Sequence, residues 1–222
     1  MAEYDKNFDK KILIVTSVEV EQTAIVKSLK DDFRFRVETL GVGPMLAAAK
    51  TAEYLTKDTY DIVINMGIAG GFPNVANIGD VVVASEVVAA DLGAESPEGF
   101  KPIEQLGFGK SHFECDNKLA KELINKIDQQ TDVKAHLGTI LTRSTVTGTV
   151  ETMEQLQKQV PGAAAEAMEG FGVATAAQLA RIPFFEIRAI SNPVGPRDRG
   201  AWKINEALVS LTKVSAILKE VF

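Results

Sequence analysis

Two polar side chains stand where hydrophobic patterning asks for apolar ones. Both lie in the stretch 163–195, AAAEAMEGFGVATAAQLARIPFFEIRAISNPVG. Glu169 follows a run of small residues and opens a helix-like segment, and Asn192 closes the apolar, strand-like run 184–191. A carboxylate accepts hydrogen bonds only, whereas an amide both donates and accepts but has no titratable proton. At element ends, where binding residues gather, such a pair can hold a polar small molecule. Glu19 and Glu21 add two carboxylates at the start of another helical segment. The helix dipole alone would favour acids there, so their type does not by itself require chemistry.

The elements that must position these groups alternate between strand and helix. Residues 11–17 (KILIVTS) and 60–65 (YDIVIN) have continuous apolar centres, the pattern of strands buried on both faces. Residues 34–40 and 134–142 read as further strands. The run 81–90 (VVVASEVVAA) is longer than one short strand needs, which predicts a mixed, strongly twisted sheet that closes into a barrel. Helices are expected over 19–29, after Pro44, over 116–127 with Asp116 as cap, over 150–159 and over the terminal 202–222. The segment MGIAGGF reads as a glycine loop forming a pocket wall. With four glycines, two prolines and three phenylalanines and no periodicity, 93–113 reads as a long irregular loop lining a site or an interface. The class is α/β, in which sites lie beyond the carboxyl ends of strands, here 18–21, 65–72, 143–148 and 191–195.

Several functions are disfavoured. GVGPML has Leu46 in place of the third glycine of a dinucleotide fingerprint, and GFGKS has Glu104 where a Walker motif needs its upstream glycine. The lone Cys115 cannot form an internal disulfide, and His112 and His136 lack metal-site spacing, so no metal or cofactor is expected. A net charge of −6 makes nucleic acid and anionic membrane surfaces poor partners. No apolar run approaches the ~18 residues of a membrane span. The polar start MAEYDKNFDKK does not resemble a signal peptide, which points to the cytoplasm. A single domain over 1–222 is expected, with about residues 1–10 as a polar extension.

In order and spacing, Val18-Glu19-Val20-Glu21, Asn65-Met66-Gly67-Ile68-Ala69-Gly70-Gly71, Ala167-Met168-Glu169-Gly170 and Arg188-Ala189-Ile190-Ser191-Asn192 resemble the nucleoside phosphorylase and nucleosidase superfamily over nearly the whole chain. The resemblance implies a three-layer sandwich with a mixed sheet and small barrel, a homodimer or larger assembly, and a small-molecule nucleoside substrate. It matches Glu21 to the carboxylate that activates water, and Met168 and Glu169 to the pair that packs under the ribose and binds its hydroxyls. A Glu accepts from two vicinal hydroxyls and stabilises positive charge on the sugar as the C–N bond breaks. Ile68, Ala69 and Gly70 become the pocket wall, and Val146 and Thr147 the base-stacking strand end.

Asn192 stands where adenine-specific relatives carry Asp. Its amide can donate to a 6-oxo group, which fits hypoxanthine or guanine, but it cannot be a general acid. Without the resemblance, Asn192 reads as a strand-ending turn before Pro193. Gly79 replaces the phosphate-binding arginine of phosphorylases, so water is the expected nucleophile. The tail Ser191-Asn192-Pro193-Val194-Gly195-Pro196-Arg197-Asp198-Arg199 with Trp202 points to the hydrolases of a 6-oxopurine nucleoside with a carboxylated 5′ tail. That tail would meet 93–113, with Lys101, Lys110, Arg197 and Arg199 as the available cations. A methylthioadenosine or adenosylhomocysteine nucleosidase, a phosphorylase and a non-catalytic nucleoside binder remain the alternatives.

Overall fold

The computed structural model describes residues 10–30 and 32–222; residues 1–9, nearly all of the expected N-terminal extension, lie outside them. Strand β1 (Ile12–Thr16) is buried along its whole length, and its side chains divide by alternation. Ile12 and Ile14 join one apolar cluster with Ile25, Leu123, Leu211 and Leu218. Leu13 and Val15 join another with Ala47, Val173 and Ala177. The first cluster draws on α1 (Glu19–Leu29), α3 (Asn117–Gln130) and α6 (Ile204–Val221), the second on α2 (Pro44–Lys57) and α5 (Gly170–Ala180). Burying each such aliphatic side chain is worth about 1.5–3 kcal/mol, so the β1 alternation fixes a helical layer on each face.

The sheet has the order β10-β4-β8-β9-β3-β1-β2, with a further pairing between β10 and β3. Strands β3 (Ile62–Gly71), β10 (Phe184–Pro193), β4 (Val81–Ala89), β8 (Ala135–Thr142) and β9 (Ala163–Ala167) therefore close a ring of five. Strands β1 and β2 (Phe35–Thr39) extend it as an open sheet. β3 joins the two parts: Ile62–Asn65 pair with β1, while Gly70 and Gly71 pair with β9. The expected twisted sheet with a small barrel is what forms.

Two local expectations are corrected, and one run left unassigned takes its place. MGIAGGF is not a loop: all but its last residue, Phe72, form the second half of β3, because β10 pairs with it through Gly71. Residues 93–113 are not irregular: they contain the hairpin β5 (Gly93–Ser96) and β6 (Gly99–Pro102), a 3₁₀ turn at Ile103–Leu106 and most of β7 (His112–Glu114). The small-residue run before Glu169 is a strand, β9, held between β8 and β3. Alanine has little preference for strands, but space selects it here. A Cβ on Gly138 of β8 would stand 2.5 Å from Ala164 Cβ, so the strands meet without room for larger side chains.

α4 (Val150–Gln159) has the expected bounds, and Asp116 caps α3 by accepting from the N–H groups of Lys118 and Leu119. Cys115 is buried and its thiol is pushed up to about 12, so it is no nucleophile. Among the described residues no helix is long and apolar enough to cross a membrane.

Candidate active site

Glu21 occupies the third position of α1, yet its side chain turns inward and is 1% exposed. One carboxylate oxygen, Oε2, accepts from Ser17 N (3.0 Å), Ser17 Oγ (2.7 Å) and Val18 N (3.2 Å). The reach back to Val18 is half of a capping box. The other oxygen, Oε1, accepts from Ile68 N (2.8 Å) on β3. Four donors from two elements thus fix the carboxylate beside the strand. Gly67 makes this approach possible, since a Cβ there would lie 2.5 Å from Glu21 Oε1 and 2.7 Å from Arg188 Nη1.

Glu169 is the N-cap of α5, but its side chain makes no capping bond. Its Oε1 accepts from Gly43 N (3.1 Å), in the turn before α2, and its Oε2 accepts from Arg188 Nη2 (3.2 Å). A helix-start acid with no further task would bond its own helix, so the structure separates Glu169 from that reading. GVGPML thus holds the Glu169 carboxylate through Gly43 N–H.

Arg188 entered the sequence reading only as the first residue of a motif, with no role assigned. It is 1% exposed, and its guanidinium donates from Nε to Glu186 Oε1 (2.8 Å) as well as to Glu169. Asn65 Nδ2 donates to the same Glu186 oxygen (3.0 Å). Glu186 Oε2 has no hydrogen-bond partner among the described residues and faces Gly170, where a Cβ would come within 1.9 Å of it. Burial holds the Glu186 carboxyl above its usual range, against the pull of Arg188. The missed signal was available: in FFEIRAIS, opposite charges two residues apart share one face of an apolar strand.

The end that the resemblance assigns to the base lies at the top of β10. Ser191 is an extra residue in the β10–β3 ladder, with Ile190 opposite Ala69 and Asn192 opposite Gly70. Such a bulge re-aims the next side chain. Asn192 Oδ1 accepts from Ser191 Oγ (2.8 Å) and its Nδ2 donates to Pro193 O (3.0 Å). Glu166, on β9, accepts from Thr147 N (2.8 Å) and from Thr147 Oγ1, with Arg143 Nη1 3.8 Å away. Its carboxyl is pushed up by burial, with Thr147 and Arg143 pulling the other way.

These groups share a cavity of about 220 Å³. All the expected site residues line it: Glu21 and Asn192, Met168 and Glu169, the β3 wall Ile68, Ala69 and Gly70, and Val146 with Thr147. Val146 is 39% exposed at the rim, whereas Thr147 is buried. The sequence reading missed Glu166, Ser17 and Val42 as site residues, and placed Ser191 and Trp202 only by their motifs. Among the described residues, the lining contains three glutamates and no lysine or arginine.

Residues 93–113, expected at the 5′ side of the substrate, do not line this cavity. Gly93, Phe100 and Gln105 instead border a separate recess of about 890 Å³ against α4. Lys101, Lys110, Arg197 and Arg199 do not line the cavity either. The β5–β6 hairpin pairs with itself and borders that recess.

The family model described as the Phosphorylase superfamily matches residues 17–222. The chain belongs to the phosphorylase superfamily. Among members of that superfamily, it is 49% identical over 178 residues to a futalosine hydrolase of Streptomyces coelicolor, covering 78% of this chain and 73% of that one. It is 41% identical over 221 residues to a futalosine hydrolase of Acidothermus cellulolyticus, covering 94% and 90%. A methylthioadenosine/adenosylhomocysteine nucleosidase of Colwellia psychrerythraea, solved in complex with adenine, superimposes with a TM-score of 0.84 at 26% identity, covering 96% of this chain and 95% of that one.

Proposed function

We infer that this phosphorylase-superfamily chain is a futalosine hydrolase, cleaving the N-glycosidic bond of futalosine to release hypoxanthine and dehypoxanthine futalosine in menaquinone biosynthesis. The relatives at 49% and 41% identity carry that activity in their names. The observation that carries the reaction type is the cavity lining, three glutamates without a cation. A phosphate dianion entering it would find no lysine or arginine on the wall to pair with, so water is the nucleophile.

In this reading Glu169 accepts from the ribose hydroxyls and, with Glu21, stabilises the positive charge that grows on the sugar as the bond from C1′ to N9 breaks. The bonding electrons leave with the base, whose 6-oxo group takes a hydrogen bond from Asn192. Water adds to C1′ and its proton passes to Glu21. Arg188 holds Glu169 from behind. The leaving base takes its proton through water, since Asn192 has none to give. With this reading go a single nucleosidase domain, a cytoplasmic location, a homodimer or larger assembly, and no metal or cofactor.

Purified protein assayed on futalosine, inosine and methylthioadenosine, with and without phosphate, tests the reading. Phosphate-independent hypoxanthine release from futalosine is expected. Rapid adenine release from methylthioadenosine with no hypoxanthine from futalosine would sink it. Light scattering on the same sample reads the assembly, and a monomer would refute that part.

A further inference from the structure

Gly70 sits between two polar side chains on neighbouring strands. It pairs with Asn192 of β10 on one side and with Glu166 of β9 on the other. Residues opposite one another on adjacent strands point to the same face, and two strand spacings put these two about 10 Å apart at the backbone. A side chain at 70 would crowd this interval, since its Cβ would lie 3.0 Å from Val194 Cγ2 and 3.3 Å from Asn192 Nδ2. Both side chains line the cavity. The gap can take the edge of one heterocycle.

The bonding capacity left on the two sides is opposite. Asn192 Nδ2 spends one N–H on Pro193 O and keeps the other. Glu166 takes one bond on each oxygen, both from Thr147, and keeps a lone pair on each. The wall therefore presents a donor and, across Gly70, an acceptor. A 6-oxopurine has the complementary edge, with an acceptor at O6 and a donor at N1–H. Adenine has the reverse, with a donor at the 6-amino group and an acceptor at N1.

We propose that Glu166 accepts the N1–H of the leaving base, so that Glu166 and Asn192 read a 6-oxopurine together. This rests on the 6-oxopurine reading above and adds a specificity residue to it. Unlike Glu21 and Glu169, Glu166 would take no part in bond cleavage.

Hypoxanthine, 1-methylhypoxanthine and adenine serve as probes, each measured as a competitive inhibitor of the unaltered enzyme and of Glu166→Gln. The unaltered enzyme should bind hypoxanthine at least about 30-fold more tightly than 1-methylhypoxanthine, because methylation removes the donor and leaves the carboxylate unpaired. In Glu166→Gln, hypoxanthine should weaken about 10-fold and adenine far less, shrinking the preference between them. Equal weakening of both bases would mean that Glu166 only holds Thr147, and would overturn the assignment. So would binding of 1-methylhypoxanthine within about threefold of hypoxanthine by the unaltered enzyme, a result that needs no variant to fold. If that enzyme still releases hypoxanthine from futalosine, the Glu166 assignment fails alone; if it releases only adenine, the functional reading fails with it.

Discussion

The two ends of the cavity are built to different rules. At the sugar end, Glu21 takes four hydrogen bonds, three of them from main-chain N–H groups, and Glu169 is held between Gly43 and a buried arginine. Little there can move without breaking backbone contacts. At the base end, Asn192 is bonded only to its immediate neighbours, Ser191 and Pro193, and its amide retains capacity for a ligand. A carboxylate that must meet a charge at one point gains from rigid placement. A group that must tell one base from another gains from unspent hydrogen bonds, because the wrong base then leaves them unpaired.

The sharpest way to break this contrast is at Glu21. Glu21→Gln keeps the size but removes the proton acceptor and turns an amide toward donors, so kcat should fall about 10²–10⁴-fold. Hypoxanthine affinity, measured by calorimetry, should stay within about twofold if binding and chemistry are divided between the ends as described. A parallel loss of affinity would show that the ends are not separable. Next in size, Asn192→Asp replaces the donor by an acceptor. Turnover with a 6-oxopurine nucleoside should fall about 10–100-fold while the ratio of adenine to hypoxanthine release from paired substrates rises. An unchanged ratio would return Asn192 to a strand-ending turn.

The smallest effect concerns the support beneath the sugar end. Glu186 has its folded pKa raised by burial, so between the ordinary carboxylate pKa of about 4.3 and that raised value the folded protein binds more protons than the unfolded chain. Its contribution to stability is therefore greatest at low pH and declines as pH rises through that window. Arg188, which lowers this pKa, and Glu169, which raises it, set where the window ends. Thermal melts of the wild type and Glu186→Gln should diverge by a few degrees as pH rises from about 4.3, the variant gaining, at about 2–4 °C per kcal/mol for a chain of this size. A constant difference across the window would mean that Glu186 is ionised whenever the chain is folded.

Much of the frame was legible because its signals are local. The apolar run of β1, the cap at Asp116 and the periodicity of α4 each lie within a dozen residues. What was not legible depends on neighbours distant in the chain. Ala163–Ala167 becomes a strand because β8 and β3 flank it, and no alternation of its own announces this. For the same reason Glu166 passed as part of a small-residue run. The sugar-end residues were found through a resemblance in motif order, whereas Glu186, inside a strand that looked simply apolar, was not, and Arg188 was named in a motif without a role. Residues 93–113 were misread because glycines and prolines serve a hairpin as readily as an irregular loop.

The extra residue at Ser191 has a consequence for how the chain could change. In an open sheet a misfit of one residue can slide along its strand until it leaves at a free edge. Here β10 has β4 on one side over Ile187–Ala189 and β3 on the other as far as Pro193, within a closed ring. Moving the irregularity one way would unzip two ladders at once; moving it the other way would meet Pro193, which has no N–H to offer, and the bond from Val194 N to Gly71 O. The defect is locked in place by topology. The side chain at 192 can thus be exchanged by point substitution while its address along the strand stays fixed.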